Sequence, residues 1–360
     1  MSAVAGLTLA LVGCGGEAVD ETTPDRLVIV SHESFTPPEN AFEAFTAETG
    51  IIVEIAAAGD AGELVARAAL TAGRPEGDVL WGVDNTLLTR ALAADVFEPY
   101  ESTAHPVRDD LAGTGRGVVT PVDSGDVCIN HDRAALDALG LEPPTSLDDL
   151  VDPRYRGLLV VSSPETSSPG LAFLLATIAE FGDGWTDYWR RLVDNDVLVV
   201  SGWSDAYYAE FSRHGGDRPL VLSYATSPPA EVIFADPPLA DDAPAPTGVV
   251  TGSCFRQIEY AGVLRGGDHP EAARLLVDFL IDPAFQSLVP ESLFVLPATT
   301  GVELPESFRR HAPDIDEPLS VEPDRIETER ENWMDTWRQV VLWAVARVHS
   351  AVRPGRPPRW

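Results

Sequence analysis

The 360-residue chain reads as a two-lobed α/β protein, its mixed but mostly parallel sheets flanked by helices. Three observations predict this. Short apolar runs rich in β-branched residues alternate with helical stretches, the order that builds parallel sheets. The length exceeds the ~250–300 residues at which single cores stop growing, and 44% hydrophobic content can fill two cores. Two extended segments, 120–130 and 255–261, read as crossings from one α/β region to the other and back.

The elements follow in order. Residues 27–30 form a short buried strand, 41–48 a helix stopped by Gly50, and 51–56 a second strand. A helix over 63–71 stops at Gly73, 78–82 is a strand, and 86–94 opens a helix after Asp84-Asn85. A second region begins with a strand near 157–162 and has helices at 170–181 and 185–193 and strands at 197–200 and 220–224. Proline and acidic residues over 236–246 mark a solvent loop. Residues 325–346 carry Trp333, Trp337, Val340 and Val341 at helical spacing, the pattern of an amphipathic helix whose tryptophans pack into a core. The division predicted is a signal and tether over 1–25, one lobe from 26–122 with 252–320, the other over 123–251, a C-terminal helix over 321–346 and a disordered tail over 347–360.

Composition narrows the partners. The net charge is −32, and every basic residue is arginine. Phosphate binding needs a basic face that releases counterions, so this charge opposes nucleic acid and anionic membrane surfaces and favours neutral or cationic small molecules. Acidity is also a general solubility adaptation, and the absence of lysine says little about a ligand.

The N-terminus resembles a bacterial lipoprotein signal. An apolar stretch over 3–12, shorter than the ~20 residues that span a bilayer, ends in Leu11-Val12-Gly13-Cys14 before an acidic, proline-containing tether. Cys14 then becomes the lipidated first residue of an extracytoplasmic protein held on the outer face of the cell membrane through its lipid anchor alone. Met1-Ser2 lacks the usual positive charge. In such a compartment disulfides persist. Cys128 and Cys254 lie in strand-like runs, either as a bridged pair or as two separately buried thiols.

Signatures of catalysis are missing. The sequence contains no Gly-x-Ser-x-Gly elbow, no His-Glu-x-x-His, no phosphate-binding Gly-x-x-x-x-Gly-Lys loop and no Cys-x-x-Cys, and its seven histidines lack metal-ligand spacing. A binding protein with no catalytic residues, no cofactor and no resident metal is the expectation. Asp84, Glu33 and Asp123 stand out among the acids because they lie at strand ends, where a carboxylate can meet a cation.

Six islands carry a more specific resemblance: Ser-His-Glu-Ser-Phe (31–35), Gly-Val-Asp-Asn-Thr-Leu-Leu (82–88), Ser-Ser-Pro-Gly-Leu (167–171), Gly-Trp-Ser-Asp-Ala-Tyr (202–207), Leu-Ser-Tyr-Ala-Thr-Ser-Pro (222–228) and Pro-Ala-Phe-Gln (283–286). In this order the chain resembles the substrate-binding proteins of thiamine ABC transporters. The resemblance implies a type II periplasmic-binding-protein fold, monomeric, closing on its ligand by hinge motion and delivering it to a permease driven by a separate ATPase. It implies a cleft in which Trp203 and Tyr224 stack on thiamine or a thiamine phosphate, Phe294 fills a third aromatic position, and Asp84, Ser167, Ser168 and Ser204 make polar contacts. Asn85, His32 and Tyr207 complete the candidate set.

An indole face adds cation–π attraction of ~0.5–2 kcal/mol to a flat, positively charged ring. Ser167 and Ser168 are equally suited to capping the helix before Leu171. The chain departs from some relatives in placing His32 and Ala230 where they have tyrosine, and Glu39 where they have tryptophan, so Glu39 or Glu33 would replace stacking by charge. Tyr207-Tyr208 also resembles the adjacent tyrosines with which related proteins hold ferric iron, an alternative cargo, although neighbours on a helix point about 100° apart.

Overall fold

The computed structural model describes residues 24–240 and 243–351, with side chains of the last helix as far as Val341. The lipidation candidate Cys14 and the end of the expected tail lie outside the described residues. Nine strands are joined: β1 (Arg26–Ser31), β2 (Ile52–Ala57), β3 (Val79–Asp84), β4 (Thr120–Asp132), β5 (Leu159–Ser162), β6 (Leu198–Val200), β7 (Leu220–Tyr224), β8 (Thr247–Val263) and β9 (Leu296–Pro297). Their order is β2-β1-β3-β8-β4-β7-β5-β6, with β9 added to β4.

Parallel pairing is confined to the two ends, where β1 lies between β2 and β3 and β5 lies between β6 and β7. The long strands β4 and β8 run antiparallel to each other and to their neighbours, which makes the two end sheets one hydrogen-bonded whole. β1, β3 and β5 are short apolar runs largely covered on both faces, as parallel strands require, whereas β2 is an exposed edge.

Helix boundaries follow local chemistry. Glu43–Thr49 ends at Gly50, which adopts φ 77° and donates its N–H to the Thr46 carbonyl. Ala61–Leu70 starts two residues earlier than expected because Asp60 caps it, accepting from the Ala61 N–H at 2.6 Å.

The sequence places the returning strand at 255–261, but β8 starts at Thr247. Its first four residues pair with residues 129–132 of β4, and two glycines within 247–254 disguise it as a turn. The expected lobe boundaries at 122/123 and 251/252 therefore fall inside β4 and β8, the strands that cross the molecule.

Cys128 of β4 and Cys254 of β8 are joined by a disulfide (S–S 2.03 Å), buried between the crossing strands. The helix Pro323–Ala351 begins near the expected position but runs past the expected end at 346, so the first five residues of the expected disordered tail, 347–351, are helical. It packs on Trp185–Asp194 at one end of the sheet and on Leu88–Ala93 at the other. Trp337 is fully buried, edge-on to Trp189 at 5.7 Å and 88°.

Candidate functional site

A cavity of about 690 Å³ opens at the carboxyl ends of the parallel strands, between the two ends of the sheet, where ligands of open α/β sheets bind. Its size is typical of a small-molecule site. His32, Ser168, Trp203, Ser204, Tyr207, Tyr224 and Phe294, all expected from sequence, line it.

The aromatic wall is built around Trp203. Its indole Nε1–H donates to Ser223 Oγ at 3.0 Å, fixing the ring, and Tyr207 stacks beneath it at 5.0 Å and 17°. Tyr208 and Tyr224 meet its edges at 5.4 and 6.5 Å. The Tyr224 hydroxyl donates to Gln257 Oε1 at 2.7 Å. Phe294 also lines the cavity; it has φ 56°, a left-handed conformation that bulky residues rarely adopt, and its ring packs against Phe234 at 5.3 Å.

Three expected contacts fall behind this lining. Asp84 is fully buried and outside the cavity. Its carboxylate accepts from the Thr86 N–H (3.0 Å) and Oγ1–H (2.7 Å), the Leu87 N–H (3.1 Å) and the Gln257 amide. Burial pushes its pKa up to about 6, against the hydrogen bonds from Thr86 and Gln257. Gln257 links Asp84 to the lining, since its amide also donates to Ser168 Oγ at 2.9 Å.

Asn85 pins the turn to β8, donating to the Arg256 carbonyl and accepting from the Ile258 N–H, both at 3.0 Å. Ser167 is buried with its hydroxyl on Ser162 Oγ at 3.0 Å. Glu39, the expected substitute for stacking, is exposed and away from the cavity, whereas Glu33 lines it.

The carboxylate that reaches across the cavity is Asp60. Besides capping its own helix it accepts from the backbone N–H of Ser168 at 3.2 Å and of Trp203 at 3.1 Å. It thereby ties the β2 side to the islands at the far end of the sheet. Burial raises its pKa even against these bonds.

Among the described residues Glu33, Asp123, Glu231, Asp236 and Glu259 also face the cavity, against one arginine, Arg213. That arginine is engaged with Glu231 at 3.0 Å, and Glu231 also takes His214 Nε2 at 2.9 Å and the Tyr207 hydroxyl at 2.6 Å. Burial works against the Glu231 carboxylate, but these donors hold it below its ordinary range. His32 Nε2 lies 3.4 Å from Glu259. Burial opposes its imidazolium, yet the neighbouring acids, Glu259 foremost, raise its pKa.

The ferric-iron alternative fits this geometry poorly. Tyr207 spends its hydroxyl proton on Glu231, and burial beside that acid drives its pKa far above the ordinary phenol value, opposite to what a phenolate ligand needs. Tyr208 is turned edge-on to it and is 58% exposed. Among the described residues no cluster of three or more His, Cys, Asp or Glu side chains could hold a metal ion.

Sequence reasoning missed Asp60, Gln257, Glu231 and Glu259. Asp60 and Glu63 have the spacing of a helix cap, which Asp60 also is. Gln257 and Glu259 interrupt a buried apolar strand at a spacing of two, the mark of one polar face, and could have been found that way.

A cavity between two strand-linked α/β ends, with an aromatic wall and six carboxylates among its lining residues, has the form of a receptor for a small solute. The chain belongs to the bacterial extracellular solute-binding protein family, whose sequence profile matches residues 77–318. It is 29% identical over 337 residues to the thiamine-binding periplasmic protein of Brucella abortus, covering 92% of this chain and 96% of that one. To the protein of the same description from Escherichia coli K12 it is 28% identical over 319 residues, covering 88% and 93%.

Among solved structures it superposes on a periplasmic thiamin binding protein with TM-score 0.78 at 27% identity, covering 92% and 99% of the two chains. The iron-bound HitA of Pseudomonas aeruginosa aligns with TM-score 0.68 at 20% identity over 88% and 99%, a likeness of fold alone. The protein is a two-lobed binding protein and not an enzyme. Among the described residues no helix is long and apolar enough to cross a membrane.

Proposed function

We propose that the chain is the extracytoplasmic substrate-binding component of an ABC importer and that its cargo is thiamine, delivered chemically unaltered to the permease. The observation that carries this reading is the pairing of the Trp203 wall with a cavity lined by six carboxylates and one already engaged arginine. The thiamine-binding relatives support the same cargo.

A thiazolium ring is flat and positively charged, so the exposed part of the Trp203–Tyr224 wall offers it stacking and cation–π attraction. Asp60 and Glu259 supply the counter-charge, and the hydroxyls of Ser168 and Ser204 offer hydrogen bonds to the neutral end. A phosphate ester gains little here, because Arg213 and His214 are held by Glu231 and the remaining acids repel it. Thiamine is therefore expected to bind more tightly than its mono- or pyrophosphate.

In this reading the parts 26–122 with 252–320 and 123–251 are the moving halves, β4 and β8 are the hinge, and Cys14 is the anchor. Titration with thiamine should quench tryptophan fluorescence to saturation at one ligand per chain. Quenching by ferric citrate with none by thiamine would instead favour the metal cargo.

A further inference from the structure

Three carboxylates stand in one row across the middle of the sheet. Asp84 of β3 is opposite Glu259 of β8, and Glu259 is opposite Asp123 of β4. Directly opposed residues of antiparallel strands share a face, and like charges there repel. Asp84 is compensated by its four donors. Asp123 is not: it is 1% exposed, it lines the cavity beside Glu259, and no hydrogen bond reaches either of its oxygens. A buried carboxylate in that condition is costly unless something outside the fold completes it.

The surroundings limit what that can be. The charge of Arg108 favours the Asp123 carboxylate, but its guanidinium is engaged with Ser124 Oγ and Asp110 and makes no hydrogen bond to Asp123. His32 faces Glu259 from the end of β1, Asp60 stands beyond His32, and Tyr224 donates elsewhere. As carboxylates, Asp123 and Glu259 are both acceptors and cannot bond each other. One proton supplies the missing donor, and burial with the charge of Glu259 raises the proton affinity of Asp123 well above the ordinary carboxylate range.

We propose that Asp123 and Glu259 form a proton-exchanging anchor in the floor of the cavity: the empty protein holds one proton between the two carboxyls, and a cationic or amino-bearing ligand docking there displaces it to solvent. This rests on the cavity being a cation site, and it adds that the cation competes with a proton. Binding then tightens as pH rises, about tenfold per unit for one proton exchanged, and levels off once the empty protein no longer holds that proton. At low pH the proton occupies the ligand's place.

Calorimetry of the full chain with thiamine, in two buffers of different ionisation enthalpy, measures the exchange. The expected result is about one proton released per thiamine on the acid side of the plateau. In Asp123→Asn the release should fall to near zero and the pH dependence should flatten, with binding retained through the aromatic wall but weakened about tenfold. The new amide can donate to Glu259, which favours folding. Glu259→Gln provides the same test should the first variant fail to fold.

Tight thiamine binding without proton release in the wild type overturns the anchor and leaves the cation reading standing. Release that persists in both variants assigns the proton to His32 or Asp84 and overturns it too. Absence of binding by any thiamine form in the wild type removes both readings together.

Discussion

Asp84 illustrates how a residue can be correctly marked and wrongly placed. The Gly82-Val83-Asp84-Asn85 island reveals a strand end, but whether its carboxylate faces the cavity or the layer beneath depends on Gln257, 173 positions later. Trp203 and Tyr224 do line the cavity, and they were legible because the islands contain few other large flat side chains. The acids also set the pH response of the empty protein. Asp84 ionises at about 6 when folded and near 3.8 when unfolded, so between these values the folded chain holds a proton that the unfolded chain has released. Its contribution to stability therefore falls as pH rises through that window and is fully lost above about 6. The melting temperature of the ligand-free protein should be higher at pH 5.5 than at pH 7.5 in scanning calorimetry. Asp123→Asn, whose amide can donate to Glu259 without taking up a proton, should reduce the difference and raise the melting temperature at pH 7.5. A melting temperature that climbs with pH would contradict this account of the buried acids.

At the level of elements, apolar periodicity was most informative where one face packs on a core. The helix Pro323–Ala351 was visible from Trp333, Trp337, Val340 and Val341 alone, but its contact with both ends of the sheet was not, because periodicity gives the face and not the partner. Trp337→Ala should cost about 3–5 kcal/mol in urea unfolding, since it empties a fully enclosed site against Trp189. A loss below 1 kcal/mol would mean that the tryptophan is not enclosed. β8 was half legible for the opposite reason: Gly248 and Gly252 break the apolar pattern that β-branched neighbours would otherwise make plain. Gly252 is needed there, since a Cβ would lie 2.5 Å from the Thr145 carbonyl oxygen.

At the scale of the whole molecule, β4 and β8 join the two ends of the sheet, with the Cys128–Cys254 bridge between them, and the proposed closure puts its hinge there. Asp60 is the cross-cavity tie, reaching the backbone of Ser168 and Trp203. Asp60→Asn should leave the fold intact and weaken both closure and binding, by about 1.5–3 kcal/mol for hydrogen bonds to a charged group. Small-angle X-ray scattering would read this as a larger radius of gyration at saturating thiamine than in the wild type. An equal contraction in both proteins would remove Asp60 from the closing mechanism.

The central claim is that an indole face and a ring of carboxylates hold a flat organic cation reversibly. Isothermal titration calorimetry of thiamine against the wild type and Trp203→Ala tests it most directly. The wild type should bind one thiamine per chain, and the variant should lose roughly 0.5–2 kcal/mol or more of binding free energy as stacking and cation–π attraction disappear. Equal affinity in the two proteins, or no heat of binding with the wild type, would contradict the account.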